Sequence, residues 1–71
     1  MPERRADGAA VAAPMVERAF RLLELVSAET EGLSLSELAR ALDMSKGSLH
    51  GLLRTLDRVG AVAQTPARRY V

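Results

Sequence analysis

Leu49, Leu52, Leu53, Leu56 and Val59 recur at intervals of three and four, the spacing that gathers side chains on one side of an α-helix. A helix over residues 46–59 follows. At ~100° per residue the opposite side carries Gly47, His50, Gly51, Arg54 and Arg58, with Lys46 at its edge in the first turn. An ordinary solvated helix mixes Glu and Lys on its outer face, so a face of glycine, imidazole and cations without an acid calls for another explanation. A polyanion pressed against it supplies one.

Two further helical patterns precede this one. Pro14 suits a first helical turn, where its missing N–H costs nothing, and Met15, Val16, Ala19, Phe20, Leu22, Leu23 and Val26 then form one broad apolar stripe. The first helix is expected over 14–28, with Leu25 outside the stripe among Glu17, Arg18, Arg21 and Glu24. The stripe is wider than packing against two short helices needs. Either a small domain leaves apolar surface exposed, or the helix also meets a second copy. After Glu29-Thr30-Glu31-Gly32 breaks the pattern, Ser34 followed three residues later by Glu37 makes a capping box. Leu33 and Leu38 complete a hydrophobic staple around it. Leu35, Leu38, Ala39 and Leu42 then give a second helix, 35–42, its core face. Asp43 stands where the chain must turn sharply, a place at which Asp can adopt the left-handed conformation. Ser45 caps the third helix, with Met44 and Leu49 as a second staple.

A brief helix, a tight turn and a longer helix are the arrangement of a helix-turn-helix. Gly60 ends the third helix, Ala61-Val62-Ala63-Gln64 reads as a short strand, and Thr65-Pro66-Ala67-Arg68 is turn chemistry. Arg69-Tyr70-Val71 begins a returning strand that the end of the sequence cuts short. This hairpin over 61–71 is a wing, and Leu33 is placed to add a third short strand beside it. The expected fold is therefore mainly α with a small β-hairpin, a winged helix-turn-helix over 14–71. Residues 1–13, without periodicity, are expected to be a disordered arm.

Composition narrows the chemistry. Seventy-one residues hold at most one small domain, near the size at which a single core is only marginally sufficient. There is no cysteine, which excludes a disulfide framework and zinc-finger ligation. No apolar run approaches the ~18–20 residues of a membrane span, so a soluble cytoplasmic protein is expected. The net charge of +1 says little, but its distribution says more. Residues 14–43 hold three arginines against six acids, whereas residues 44–71 hold Lys46, Arg54, Arg58, Arg68 and Arg69 against Asp57 alone. Such asymmetry points to a one-sided polyanion contact. Nothing resembles a glycine-rich phosphate loop, a nucleophile with its base, or paired carboxylates in a pocket, so no enzyme is expected and no cofactor is implied. With Phe20 and Tyr70 as the only aromatics, base stacking on single strands finds no support.

The residues from Glu31 to Leu42 (EGLSLSELARAL), then Ser45-Lys46 and His50, then Leu52-Leu53-Arg54-Thr55-Leu56 and Arg69-Tyr70, resemble the N-terminal winged helix-turn-helix of the IclR family of bacterial transcriptional regulators. The resemblance covers residues 14–71. It implies homodimers that bind palindromic operators in double-stranded DNA, and a separate effector-sensing C-terminal domain absent from these 71 residues. Gly51 stands where the family often has a large polar residue, Gly47 where a small hydroxyl residue is common, and Asp43 where glycine frequently makes the turn.

The expected DNA-facing residues begin at the capping serines Ser34 and Ser45. Lys46, Gly47 and Ser48 lie in the first turn of the third helix, the part of a recognition helix that meets base edges, and Lys46 is the strongest candidate for base contact. Arg54 and Arg58, further along the helix, are placed for backbone phosphates, the alternative for Arg58 being a pair within the helix near Asp57 or plain solvation. His50, without a Cys, a second His or a carboxylate at ligand spacing, reads as a neutral donor to phosphate or base rather than a metal ligand. Gly51 lies on the same face. Arg68 and Arg69 are expected at the wing tip, free to neutralise phosphate or enter a minor groove. Two functions from different classes fit: sequence-specific binding of double-stranded DNA, and a winged-helix module whose basic helix docks on an acidic protein.

Overall fold

The computed structural model describes residues 13–71, so the expected arm lies outside the described residues but for Ala13. Helix α1 spans Pro14–Ser27, β1 Leu33–Ser34, α2 Leu35–Leu42, α3 Lys46–Arg58 and β2 Arg69–Tyr70. β1 and β2 pair antiparallel with Leu33 opposite Tyr70 and Ser34 opposite Arg69. The architecture is a winged helix-turn-helix, three helices with a small antiparallel sheet at one edge.

Local sequence sets the ends of these elements. Pro14 occupies the first turn of α1, where the N–H groups of Val16 and Glu17 bond back to the Ala13 carbonyl at 2.9 and 3.1 Å. At α2 both halves of the capping box form. The Glu37 N–H donates to Ser34 Oγ at 3.2 Å, and the Ser34 N–H donates to Glu37 Oε1 at 2.9 Å. Asp43 closes α2 in the left-handed region at φ 54°, and the Met44 N–H reaches the Ala39 carbonyl at 3.0 Å, the six-to-one bond of a Schellman motif. The same device ends α3. Gly60, at φ 82°, lets the Ala61 N–H bond the Leu56 carbonyl at 2.8 Å.

The core is built from one leucine in α1, one in α2 and two in α3: Leu22, Leu38, Leu49 and Leu53 are the largest fully buried side chains. Val26, Leu42, Leu52, Leu56, Val62 and Tyr70 close around them. Fully burying a leucine contributes ~1.5–3 kcal/mol relative to exposure, so these four carry a large share of what holds so small a domain together.

Three expectations change. Leu25 does not lie outside the buried side of α1 but is half-buried against the core. Buried Leu22 and Val26 centre the core-facing arc, and at ~100° per residue Leu25 falls about 60° from Leu22, whereas Phe20 falls about 160° away. Phe20 is accordingly 65% exposed and Val16, about 120° from Leu22, is exposed with it, whereas Met15 falls on the core-facing arc but is exposed in the first turn of the helix. Val59, placed on the core face of the third helix, is 66% exposed, because the helix ends at Arg58 and the chain turns before Val59 can point inward. Val62 takes the core position instead. The outgoing limb of the wing is also shorter than a strand from Ala61 to Gln64: Gly60 and Ala61 are used in ending α3. Pairing starts only at Ala63, which exchanges backbone hydrogen bonds with Val71 at 3.0 and 2.9 Å, and Gln64 bridges Tyr70.

Candidate nucleic-acid interface

Helix α3 presents its leucines to the core and leaves Lys46, Gly47, Ser48, His50, Gly51, Arg54 and Arg58 exposed. Ser45 Oγ accepts the Ser48 N–H at 3.2 Å, satisfying one first-turn donor, and no acid lies in that turn. The remaining N–H groups and Lys46 make the start of the helix electropositive. Neither Lys46, Arg54 nor Arg58 forms an ion pair with another described residue, so all three cations are available to an outside anion. Asp57 is exposed on this same side: at ~100° per residue it falls between Lys46 and His50, so the face is not free of acids as the spacing suggested, and its one carboxylate stands toward the far end of the helix.

A Cβ added at Gly47 or at Gly51 would meet nothing within 4 Å. Nothing inside the domain therefore requires glycine at either place. The two lie one turn apart and leave a bare strip of helix backbone between the cations. Thr55 bonds back to the Gly51 carbonyl at 3.1 Å, which occupies that acceptor within the helix.

The wing separates two adjacent arginines that the sequence placed together at its tip. The Arg68 N–H bonds the Thr65 carbonyl at 2.9 Å to close the turn, and Arg68 sits in the left-handed region at φ 63° with its side chain exposed. Arg69 is not at the tip. It lies in β2 with its guanidinium turned inward, donating to the Gly32 carbonyl from Nε at 3.3 Å and from Nη2 at 3.0 Å. It also donates to the Glu31 carbonyl at 3.3 Å and to Glu37 Oε1 at 2.9 Å. The physical reason is register: pairing Arg69 with Ser34 sets its side chain beside the start of α2, where a carboxylate and two carbonyls wait.

Ser34, expected to face DNA, ends β1 and caps α2. Its hydroxyl and N–H are both engaged with Glu37, and the residue is half-buried. The Ser34 N–H foremost holds the Glu37 carboxyl below its ordinary range; desolvation opposes it, and the positive charge of Arg69, a lesser influence than either, adds to the lowering. Sequence reasoning found Glu37 as a cap but not as an anchor for the wing, and it missed Gly32. At φ 78°, with a Cβ position only 2.4 Å from the Tyr70 carbonyl oxygen, Gly32 is where β2 comes closest to the loop before α2. The one local signal was its position between Glu31 and the staple residue Leu33. Among the described residues no group of three or more His, Cys, Asp or Glu could hold a metal ion, and no helix is long and apolar enough to cross a membrane.

The model of the IclR helix-turn-helix domain matches residues 15–66. The chain belongs to the IclR family. Among curated relatives of this IclR domain, the glycerol operon regulatory protein of Streptomyces griseus is 42% identical over 52 residues, which is 73% of this chain and 20% of that protein. The HTH-type transcriptional regulator XynR of Escherichia coli K12 is 35% identical over 51 residues, 72% of this chain and 20% of XynR. The probable transcriptional regulator SauR of Cupriavidus necator is 36% identical over 53 residues, 75% of this chain and 21% of SauR. This IclR domain thus spans about a fifth of the length of the curated relatives it matches. No solved structure matches it at comparable significance. The family assignment makes residues 15–66 an IclR-type helix-turn-helix domain, and the relatives that share it carry the names of regulators.

Proposed function

We propose that this chain is the sequence-reading part of a bacterial transcriptional regulator, binding a palindromic operator in double-stranded DNA as a pair of copies in the cytoplasm. The observation that carries the reading is the outer face of α3, where Lys46, Arg54 and Arg58 stand exposed without ion-pair partners among the described residues. In this reading α3 enters the major groove by its first turn. Lys46 meets base edges, the N–H groups behind Ser45 and Ser48 receive a phosphate, and His50 donates to phosphate or base. Arg54 and Arg58 neutralise the flanking backbone and Arg68 reaches it from the wing. The role is binding rather than catalysis.

A second copy is proposed to meet this one through α1, whose Met15, Val16 and Phe20 are exposed apolar residues that the domain's own core does not cover. Two-fold pairing of the protein would make the operator two-fold as well, with half-sites about one helical turn apart.

Selection of bound sites from random duplexes tests the reading. A regulator should enrich one palindrome and prefer it over scrambled DNA by ~10³-fold or more. Weak affinity blind to sequence would instead favour a basic module that docks on an acidic protein.

A further inference from the structure

The wing's strand β2 meets the rest of the domain through a ladder of only two residue pairs, Leu33 with Tyr70 and Ser34 with Arg69. Val62 and Tyr70 seat the base of the hairpin in the core, but a ladder that short leaves the rake of its tip weakly determined, since a two-stranded ribbon twists freely where nothing else holds it. The Arg69 side chain supplies what the ladder lacks. Its fork reaches Gly32, Glu31 and Glu37 at 2.9–3.3 Å, and Glu37 Oε1 is the same oxygen that accepts the Ser34 N–H. One carboxylate therefore ties together the second strand of the wing, the first residue pair of the sheet and the first turn of α2. Helix α2 in turn packs through Leu38 and Leu42 into the core that Leu49 and Leu53 of α3 share.

We propose that Arg69 is a positioning residue, clamped by Glu37 and the carbonyls before α2, that fixes the wing relative to α3 so that Arg68 and Lys46 meet one DNA duplex together. The inference rests on the proposed DNA-binding reading and deepens it. Arg69 is half-buried and committed to four hydrogen bonds, whereas its neighbour Arg68 is exposed and held at the turn in a conformation that glycine would adopt more readily. The two arginines divide the work: one aims, the other touches. Lysine cannot replace Arg69, because a single ammonium cannot span a carboxylate and two carbonyls as a planar fork does.

Direct contact and positioning make opposite predictions for Glu37→Gln. If Arg69 itself touched phosphate, removing the carboxylate that occupies it would free a cation and raise operator affinity. Under the proposal Glu37→Gln lowers affinity as Arg69→Gln does, and the double variant is no worse than either single one. In an Arg68→Gly background, where the wing has no exposed cation left to deliver, Arg69→Gln should cause no further loss. A direct phosphate contact would lower the slope of log affinity against log salt by a further ~0.9 in that background. Affinities are compared at temperatures where circular dichroism shows every variant folded.

A second measurement needs no DNA, so failure of the clamp and failure of the DNA-binding reading can be told apart. The chain has no cysteine, and spin labels attached through Ala67→Cys at the wing turn and Asp57→Cys on α3 report the distance between the two elements. A narrow distance distribution that broadens in Arg69→Gln and in Arg69→Lys supports the clamp. A distribution unchanged in both, or a gain in operator affinity in Glu37→Gln, overturns it.

Discussion

Lys46 and Arg54 lie two helical turns apart on the exposed side of α3, and their different depths along the helix give them different tasks. Lys46→Ala should relax preference at particular operator positions, by about 1–3 kcal/mol where the contact is bidentate to guanine. Arg54→Ala should weaken cognate and scrambled DNA alike and lower the salt slope by ~0.9. A salt titration of each variant on both duplexes is the check, and if Arg54→Ala changed sequence preference while Lys46→Ala did not, the two roles would be exchanged. Glu37 permits a prediction that involves no DNA. Its folded-state pKa lies below the ordinary value of 4.5, so the stability it contributes is fully present above that value and is lost as pH falls from there through the lower folded one. Thermal melting of the wild type should therefore fall more steeply than that of Glu37→Gln as pH drops below about 4.5. Parallel curves would mean that the carboxylate's ionisation contributes nothing to folding.

At the scale of elements, Gly47 and Gly51 are the anomaly in α3. Glycine in a helix interior costs roughly 0.5–1 kcal/mol relative to alanine, and open space at both positions means that an added methyl meets no obstacle within the domain. Gly51→Ala should raise the unfolding free energy by about that amount in a denaturant titration, and Gly47→Ala, in the first turn, by less. If α3 lies close enough to the groove floor for the bare backbone strip to matter, the same variants should weaken operator binding; unchanged affinity would mean that these glycines serve no contact. The capping box, the left-handed Asp43 and the Gly60 stop could be read from the sequence because each depends on residues within a few positions of one another. Arg69, Val59 and Leu25 could not. The direction of Arg69 depends on pairing with Ser34, far away in the chain, and adjacent arginines in a turn look alike until that register is known. Val59 continues the helical spacing in sequence, but the Gly60 stop takes effect one residue too early for it to reach the core. Leu25 falls outside the expected stripe because the apolar residues of α1 span more than the arc the core uses, and spacing alone does not say where that arc is centred.

At the scale of the whole molecule, the apolar surface left over by α1 has the most direct bearing on how the domain would occupy an operator. The core of this small domain uses Leu22 and Val26 and leaves Phe20 65% exposed, with exposed Val16 one turn before it on the same side of the helix. Covering such residues between two copies would remove apolar area from water at ~25 cal/mol per Å², a modest gain that the loss of translational freedom opposes. The isolated domain should therefore be monomeric or weakly dimeric in solution. DNA changes the balance, because two half-sites on one duplex hold two copies at high effective concentration, and a contact too weak to form in solution then adds cooperativity. Phe20→Glu places a charge in that contact while disturbing little of the fold, since the side chain it replaces is mostly in water. Sedimentation with a single half-site should give one bound copy and equal affinity for wild type and variant. On the full palindrome the wild type should bind as two copies with a gain over independent sites, and Phe20→Glu should lose the gain while keeping the half-site affinity. If the variant retained the whole gain, the second copy would not be held through this face of α1; if the wild type bound the palindrome as one copy, the two-fold reading of the operator would fall with it.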